Sequence, residues 1–505
     1  MRNVLRLACL GLALLLIAAL SSSIALAGQP ACRSRNNNTV DKLLECVTLE
    51  GVQQHLAAFQ AIADANGGSR AAGTSGYDQS AAYVAETMSA AGYDVTVQPF
   101  TYYSWRITGQ PILEQISPDP ISYNHGPDFL ILHHTDSGDV TAPVTAVDLQ
   151  LGLGNRSTSG CELDDFATFP PGHIALIQRG ACTFRTKTQN AAAAGAAGAI
   201  VFSQGHTPND RKTILGTLSA AYNGGIPAVS ASYALGEQWA GTPGLVMHLE
   251  TSSERLPRES VNILAESATG DPSNAVVVGA HLDSVSGRPG IQDNGSGSAV
   301  ILEVALQMQK VKPRNTLRFA WWGAEELGLV GSNLYMDSLS QKARDSIALY
   351  LNFDMIASPN YVWFIYDGDG SAFGFPGPPG SGAIETLFES FYAGRGLPSE
   401  PTQITFRSDS GIPIGGLFTG AEGIKSETQA ALFGGTAGQA YDPCYHRACD
   451  TYSNVSLEAL DVNADATAFV TLQYAMNTQA VNDARGKGNF KPPTLPPADV
   501  EPVAR

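Results

Sequence analysis

From Ser260 onward the chain alternates short apolar runs with helical ones: Ala275 to Gly279, Ser298 to Val311, Leu317 to Trp322, Leu327 to Ser338 and Ile347 to Phe353. Parallel strands need long crossovers and helices supply them, so this alternation predicts an α/β domain, a mostly parallel mixed sheet sandwiched by helices. Polar residues gather just past the apolar runs. Val276-Val277-Val278 leads to His281 and Asp283, Leu317 to Trp322 leads to Glu325 and Glu326, and Tyr350 to Phe353 leads to Asp354. In open α/β sheets ligands bind beyond the carboxyl ends of the strands, so three strands would bring these groups to one crevice.

Taken singly, each group has a plain structural reading. A histidine after a strand is more often a hydrogen-bonded structural residue, and Asp293-Asn294-Gly295-Ser296-Gly297 reads as a turn with a helix cap. Convergence changes the balance, and Asp293 then becomes a candidate carboxylate ligand beside His281. Glu325-Glu326 follows a tryptophan pair and precedes Leu327-Gly328-Leu329-Val330. Two acids in that apolar context are costly unless a cation meets them. A metal would supply the charge, one carboxylate ligating while its neighbour takes a proton from activated water. Near the end, Cys444-Tyr445-His446-Arg447-Ala448-Cys449 places Tyr445 and His446 in what would be a small disulfide loop. Two histidines with three carboxylates suit a pair of zinc ions.

The N-terminus joins Arg2 and Arg6 to an apolar run from Leu10 to Leu20 and to Ala25-Leu26-Ala27, the pattern of an export signal over residues 1–27. The protein is thus expected to be secreted, extracellular or periplasmic. Removing two arginines takes the net charge from -17 to -19, with 28 basic against 47 acidic residues. Such acidity disfavours nucleic acid and anionic membranes as partners. Of seven cysteines, Cys9 leaves with the signal. Spacing then suggests the local pairs Cys32 with Cys46, Cys161 with Cys182 and Cys444 with Cys449, expected in an oxidising compartment. Residues 28–123 and 254–482 read as parts of the main domain, and 483–505 as a proline-rich tail. Between them, 124–253 has a different texture, short apolar runs separated by Gly and Pro. Its strand, helix, strand order through Gly172 to Phe184 and Gly198 to Phe202, followed by Ile226-Pro227-Ala228-Val229, resembles an inserted protease-associated domain, β-rich and α+β.

The motifs His281-Leu282-Asp283-Ser284, Asp293-Asn294-Gly295-Ser296-Gly297, Gly323-Ala324-Glu325-Glu326, Asn352-Phe353-Asp354-Met355, Gly415 to Gly420 and Cys444-Tyr445-His446 together resemble the secreted di-zinc aminopeptidases of bacterial and fungal leucyl type. The resemblance runs from about Asn36 to about Asn477. It implies two zinc ions per chain, His281 and Asp354 on one, Glu326 and His446 on the other, and Asp293 bridging. It implies Glu325 as general base, Asp283 as the carboxylate orienting His281, and Tyr445 as donor to the oxyanion. Met355 and Phe418 would lie near the side-chain pocket. Arg407 would border it, in a loop that is shortened after Asp409 relative to many relatives. Expected substrates are peptide or protein N-termini, especially large apolar ones, and a monomer is expected. Two rival readings are a di-zinc carboxypeptidase, which would show extra basic residues around its pocket, and a non-catalytic receptor, whose mark would be lost ligands.

Overall fold

The computed structural model describes residues 32, 34–219, 222–404 and 411–483. The expected leader, Arg407 and the tail beyond residue 483 lie outside these. Numbering only the strands of the sheet that carries the predicted site, they are β1 (Asp94–Ile107), β2 (Ser253–Glu266), β3 (Asp271–His281), β4 (Asn315–Trp322), β5 (Ile347–Phe353), β6 (Phe364–Tyr366), β7 (Glu400–Thr402) and β8 (Ile414–Phe418). Their order is β1-β2-β4-β3-β5-β8-β6-β7. The central strands β4, β3, β5 and β8 are parallel, whereas β1, β2 and β4 pair antiparallel. Trp322, His281 and Phe353 therefore end side by side.

Alternation along these strands divides the core. Val276, Val278, Phe319, Trp321, Leu349 and Leu351 face one large cluster. That cluster also takes the apolar stripes of α1 (Leu49–Ala65), α2 (Ser75–Ala90) and α3 (Ser296–Met308). On the other face Val277, Ala320, Trp322 and Ile347 pack with Tyr335 of α4 (Val330–Ser338). The first cluster is completed by α5 (Ser381–Gly394) and α6 (Leu457–Met476).

Local hydrogen bonding sets where several elements begin and end. The apolar stripe from Val40 to Ala65 is two helices, Val40–Leu44 and α1, because the Thr48 hydroxyl accepts the Gly51 N–H at 3.1 Å and starts a new helix. Thr74 caps α2 in the same way, through Tyr77 N–H, so α2 begins at Ser75. The expected helix from Leu327 begins only at Val330, since Glu325–Leu327 forms a separate tight turn. β1 runs on to Ile107 through Pro99, which an edge strand tolerates.

A second sheet lies in the chain between β1 and β2. It contains Ile112–Ser117, Ile121–Ser122, Phe129–Ile131, Gly138–Val147, Ile174–Gln178, Gly198–Phe202, Ala228–Ala231 and Val246–Thr251. Four of these run parallel, Gly138–Val147 through Ala228–Ala231, and the sheet has hydrophobic clusters of its own. β1 and β2 pair along their whole length and carry the chain into and out of this unit. All three expected disulfides are present: Cys32–Cys46, Cys161–Cys182 and Cys444–Cys449. No described helix is long and apolar enough to cross a membrane.

Candidate metal centre

His281 ends β3, Asp354 follows β5, the glutamate pair follows β4, and Asp293 sits in the loop before α3. Asp293 presents its two carboxylate oxygens to two different histidines: Oδ1 lies 3.1 Å from His281 Nε2, and Oδ2 lies 3.2 Å from His446 Nε2. Asp354 Oδ1 is 3.3 Å from His281 Nε2, and Glu326 Oε2 is 3.1 Å from His446 Nε2. Two groups that could each hold a metal ion thus share Asp293: His281 with Asp354, and His446 with Glu326. Glu325 Oε2 stands 3.8 Å from His281 Nε2.

Zinc ligands at about 2.1 Å in a tetrahedron are separated by roughly 3.4 Å. The spacings of 3.1–3.3 Å come close to that edge. Glu326 Oε1 is buried with no hydrogen-bond partner among the described residues, a burden that a cation would relieve. The imidazole and carboxylate donors fit a borderline divalent ion. All five expected ligands therefore meet in one crevice.

The electrostatics follow from crowding acids around two imidazoles. Burial alone would raise Asp293, but hydrogen bonds from His281 and His446 hold it at about 2. Burial lowers His446, yet Asp293 and Glu326 outweigh it and lift the imidazole to about 10. Burial and the neighbouring Asp293 push Glu326 up to about 7, and burial drives Glu325 well above the ordinary carboxylate range. A carboxyl group in such a place holds its proton more tightly than a solvated glutamate.

The supporting residues are distant in sequence. Asn294 accepts N–H bonds from Gly297 and Met355 at 2.9 and 3.2 Å and donates to Phe353 O at 2.8 Å, tying the loop to the end of β5. Gly297 is obligatory there, since a Cβ would lie 2.1 Å from Phe353 O. Asp450 accepts N–H bonds from Gln292 and Asp293. Arg70, fully buried, donates to the carbonyls of Leu282, Pro289 and Gly290. Asp442 accepts from Cys444 N–H and Asn454 Nδ2 and so sets the disulfide loop.

Of the remaining predicted residues, the Asp283 carboxylate lies 3.8 Å from His281 Nδ1, while the Asp283 carbonyl lies 3.1 Å from it. The carboxylate itself accepts the N–H groups of Glu325 and Glu326, at 3.0 and 3.3 Å. Tyr445 stacks on His446 with centroids 3.8 Å apart. A cavity of about 240 Å3 opens beside His281, Glu325 and Asp354 and runs along the sheet past Trp322, Met336, Tyr350 and Ile414. Met355 and Phe418 do not line it. Met355 is buried with φ 51°, and Phe418 stacks on Phe364. Sequence reasoning passed over Arg70, Asp442 and Asp450. Only the last two carried a signal, their place at either end of the cysteine loop.

Histidines and carboxylates converging beyond a parallel sheet, around a shared aspartate and with a second glutamate beside them, define a metallohydrolase. Residues 262–471 match the model of peptidase family M28, and residues 140–239 match that of the PA domain. An aminopeptidase of Pseudomonas aeruginosa is 52% identical over 448 residues, 87% of this chain and 83% of its own length. A probable leucine aminopeptidase 2 of Aspergillus fumigatus is 39% identical over 448 residues, covering 86% and 84%. The solved aminopeptidase from Aneurinibacillus sp. strain AM-1 matches with a TM-score of 0.59 at 25% identity, over 86% of this chain and 96% of that one. The chain belongs to peptidase family M28 and carries an inserted PA domain.

Proposed function

We propose that this protein is a secreted aminopeptidase holding two zinc ions, with Glu325 as its general base. It is a zinc-dependent metalloexopeptidase. The observation that carries the reading is Asp293, which turns one oxygen to His281 and the other to His446. His281 and Asp354 would hold one ion, His446 and Glu326 the other. Bound zinc would supply positive charge that polarises the scissile carbonyl and lowers the pKa of water. Glu325 takes the proton of the attacking water and passes it to the leaving amine. Tyr445 donates a hydrogen bond to the developing oxyanion, and the surrounding carboxylates receive the free α-ammonium group.

The apolar cavity beside Glu325 would take the side chain of the N-terminal residue, favouring large apolar ones. The relatives of Pseudomonas aeruginosa and Aspergillus fumigatus are named aminopeptidases, which favours amino-terminal over carboxy-terminal cleavage. Three disulfides support an oxidising, exported setting.

The test is hydrolysis of leucine p-nitroanilide and its N-acetylated counterpart by wild type and Glu325→Ala, with zinc assayed in both. The expected result is cleavage of the free-amine substrate alone, abolished in a variant that still binds two zinc per chain. Failure of the zinc-loaded wild type to cleave it would refute the reading.

A further inference from the structure

The turn that carries Glu325 is held in an unfavourable backbone conformation. Ala324 and Leu329 have φ of 55° and 58°, and Gly328 lies between them at 99°. Left-handed residues other than glycine persist only where the surroundings over-determine them. Here the surroundings act from three directions. The Asp283 carboxylate accepts the Glu325 and Glu326 N–H groups from beneath. Leu327 packs against the cluster of Phe100, Tyr102 and Val330, on the β1 side. The third contact comes from the inserted domain: Ser219 Oγ donates to the Gly328 carbonyl at 3.0 Å.

That contact rests on a segment anchored in the inserted domain itself. Leu218 is fully buried in one of its cores and donates its N–H to His133 O, while His133 N–H donates to Gly216 O. Ser230 Oγ donates to Ile214 O at 2.6 Å. The domain is in turn fastened to the β1–β2 arm, Trp105 Nε1 donating to Thr135 O at 2.8 Å and Arg255 pairing with Asp136 at 3.1 Å. The approach is close because residue 328 lacks a side chain. A Cβ there would lie 3.0 Å from the Ser219 Cβ.

We infer that Ser219 is a positioning residue for Glu325, so that the inserted domain supplies part of the frame that aims the general base. The Gly328 N–H and the Leu329 N–H both return to Glu325 O, at 2.8 Å each, so a constraint on the Gly328 carbonyl is passed to Glu325 through one short turn. This rests on the reading of Glu325 as the base.

The test uses the full zinc-loaded protein with Ser219→Ala and Ser219→Gly. Ser219 has φ 67°, which glycine adopts without strain, so the second variant removes the hydroxyl without a steric conflict. Expected is a fall in kcat of roughly 3- to 10-fold, as for a lost hydrogen bond of this kind, with KM within about twofold. Amide hydrogen exchange at residues 324–329 should speed up while zinc content stays at the wild-type level. Wild-type kcat and exchange in both variants would overturn the inference. That outcome is separable from failure of the function itself, which Glu325→Ala reads independently.

Discussion

The Asp450 carboxylate receives the backbone N–H of Asp293 at 3.1 Å and that of Gln292 at 2.8 Å. The residue that faces both histidines is therefore held through its main chain by a carboxylate far along the sequence. Burial lifts Asp450 to about 7, the two N–H groups pulling the other way. Replacing Asp450 by Ala would leave both N–H groups without acceptors, at about 1–3 kcal/mol each. Supporting residues of this kind typically contribute 10- to 100-fold in metal affinity. Asp450→Ala is expected to lower zinc affinity by about that factor in competition with a chelator.

Tyr445 occupies the same disulfide loop as His446, and its hydroxyl is kept protonated by burial and by the acids Asp293 and Glu326. A donor that cannot ionise suits a developing oxyanion. Tyr445→Phe is expected to reduce kcat about 100-fold while leaving KM and zinc content near wild type. An unchanged kcat for leucine p-nitroanilide would remove Tyr445 from the mechanism.

What the sequence made legible follows from where the information lies. His281, Glu325, Glu326 and Asp354 could be read because each directly follows an apolar strand, and strand ends share a crevice. Asp293 and His446 could be read from a glycine-rich loop and a cysteine pair. Arg70 could not be read, since its partners Leu282, Pro289 and Gly290 lie 212 to 220 residues away along the chain and only the fold brings them to it. Ser219 was hidden for the same reason, in a different domain from Gly328. The pocket was the least legible part. The walls of the cavity beside Glu325 come from both sides of β3 and from α4, and Met355 and Phe418, expected near the pocket from their motifs, are not among them.

Arg70 is a fully buried cation whose pKa burial lowers to about 10, with Asp450, Asp283 and Asp293 opposing, so it stays charged at neutral pH. Its donors join the start and the end of the loop from Leu282 to Gly290. Arg70→Met would leave those carbonyls short of donors and the acids without their cation, costing about 3–5 kcal/mol. The apparent melting temperature should fall by roughly 10 °C, measured on zinc-loaded protein.

Met336 on α4 lines the cavity beside Glu325 and is only half-buried, so a larger side chain can be placed there with little damage to the core. Met336→Trp would narrow the space left for a substrate side chain. Losing room for a methylene or two changes discrimination by about 1–3 kcal/mol. The variant is expected to lose at least about 10-fold more kcat/KM on leucine p-nitroanilide than on alanine p-nitroanilide. Equal losses on both would place the side-chain pocket elsewhere.

Glu385 on α5 accepts the N–H groups of Gly368 and Asp369 through a single oxygen, Oε2, at 2.9 and 3.1 Å. Burial, with Asp369, Glu389 and Asp367 nearby, pushes its pKa up to about 7 from an ordinary 4.5, against the pull of the Asp369 N–H. A carboxyl group raised on folding stabilises the protein most below its unfolded pKa, and that contribution is lost as pH rises through the folded value. The window is thus about 4.5 to 7, and above it the wild type carries a buried, crowded carboxylate. A glutamine keeps one carbonyl oxygen for both N–H donors and never ionises. Glu385→Gln should therefore melt with the wild type at the acid end of that window and above it at pH near 8, with zinc held constant. A difference in melting temperature that does not change with pH would show that Glu385 does not titrate in this range.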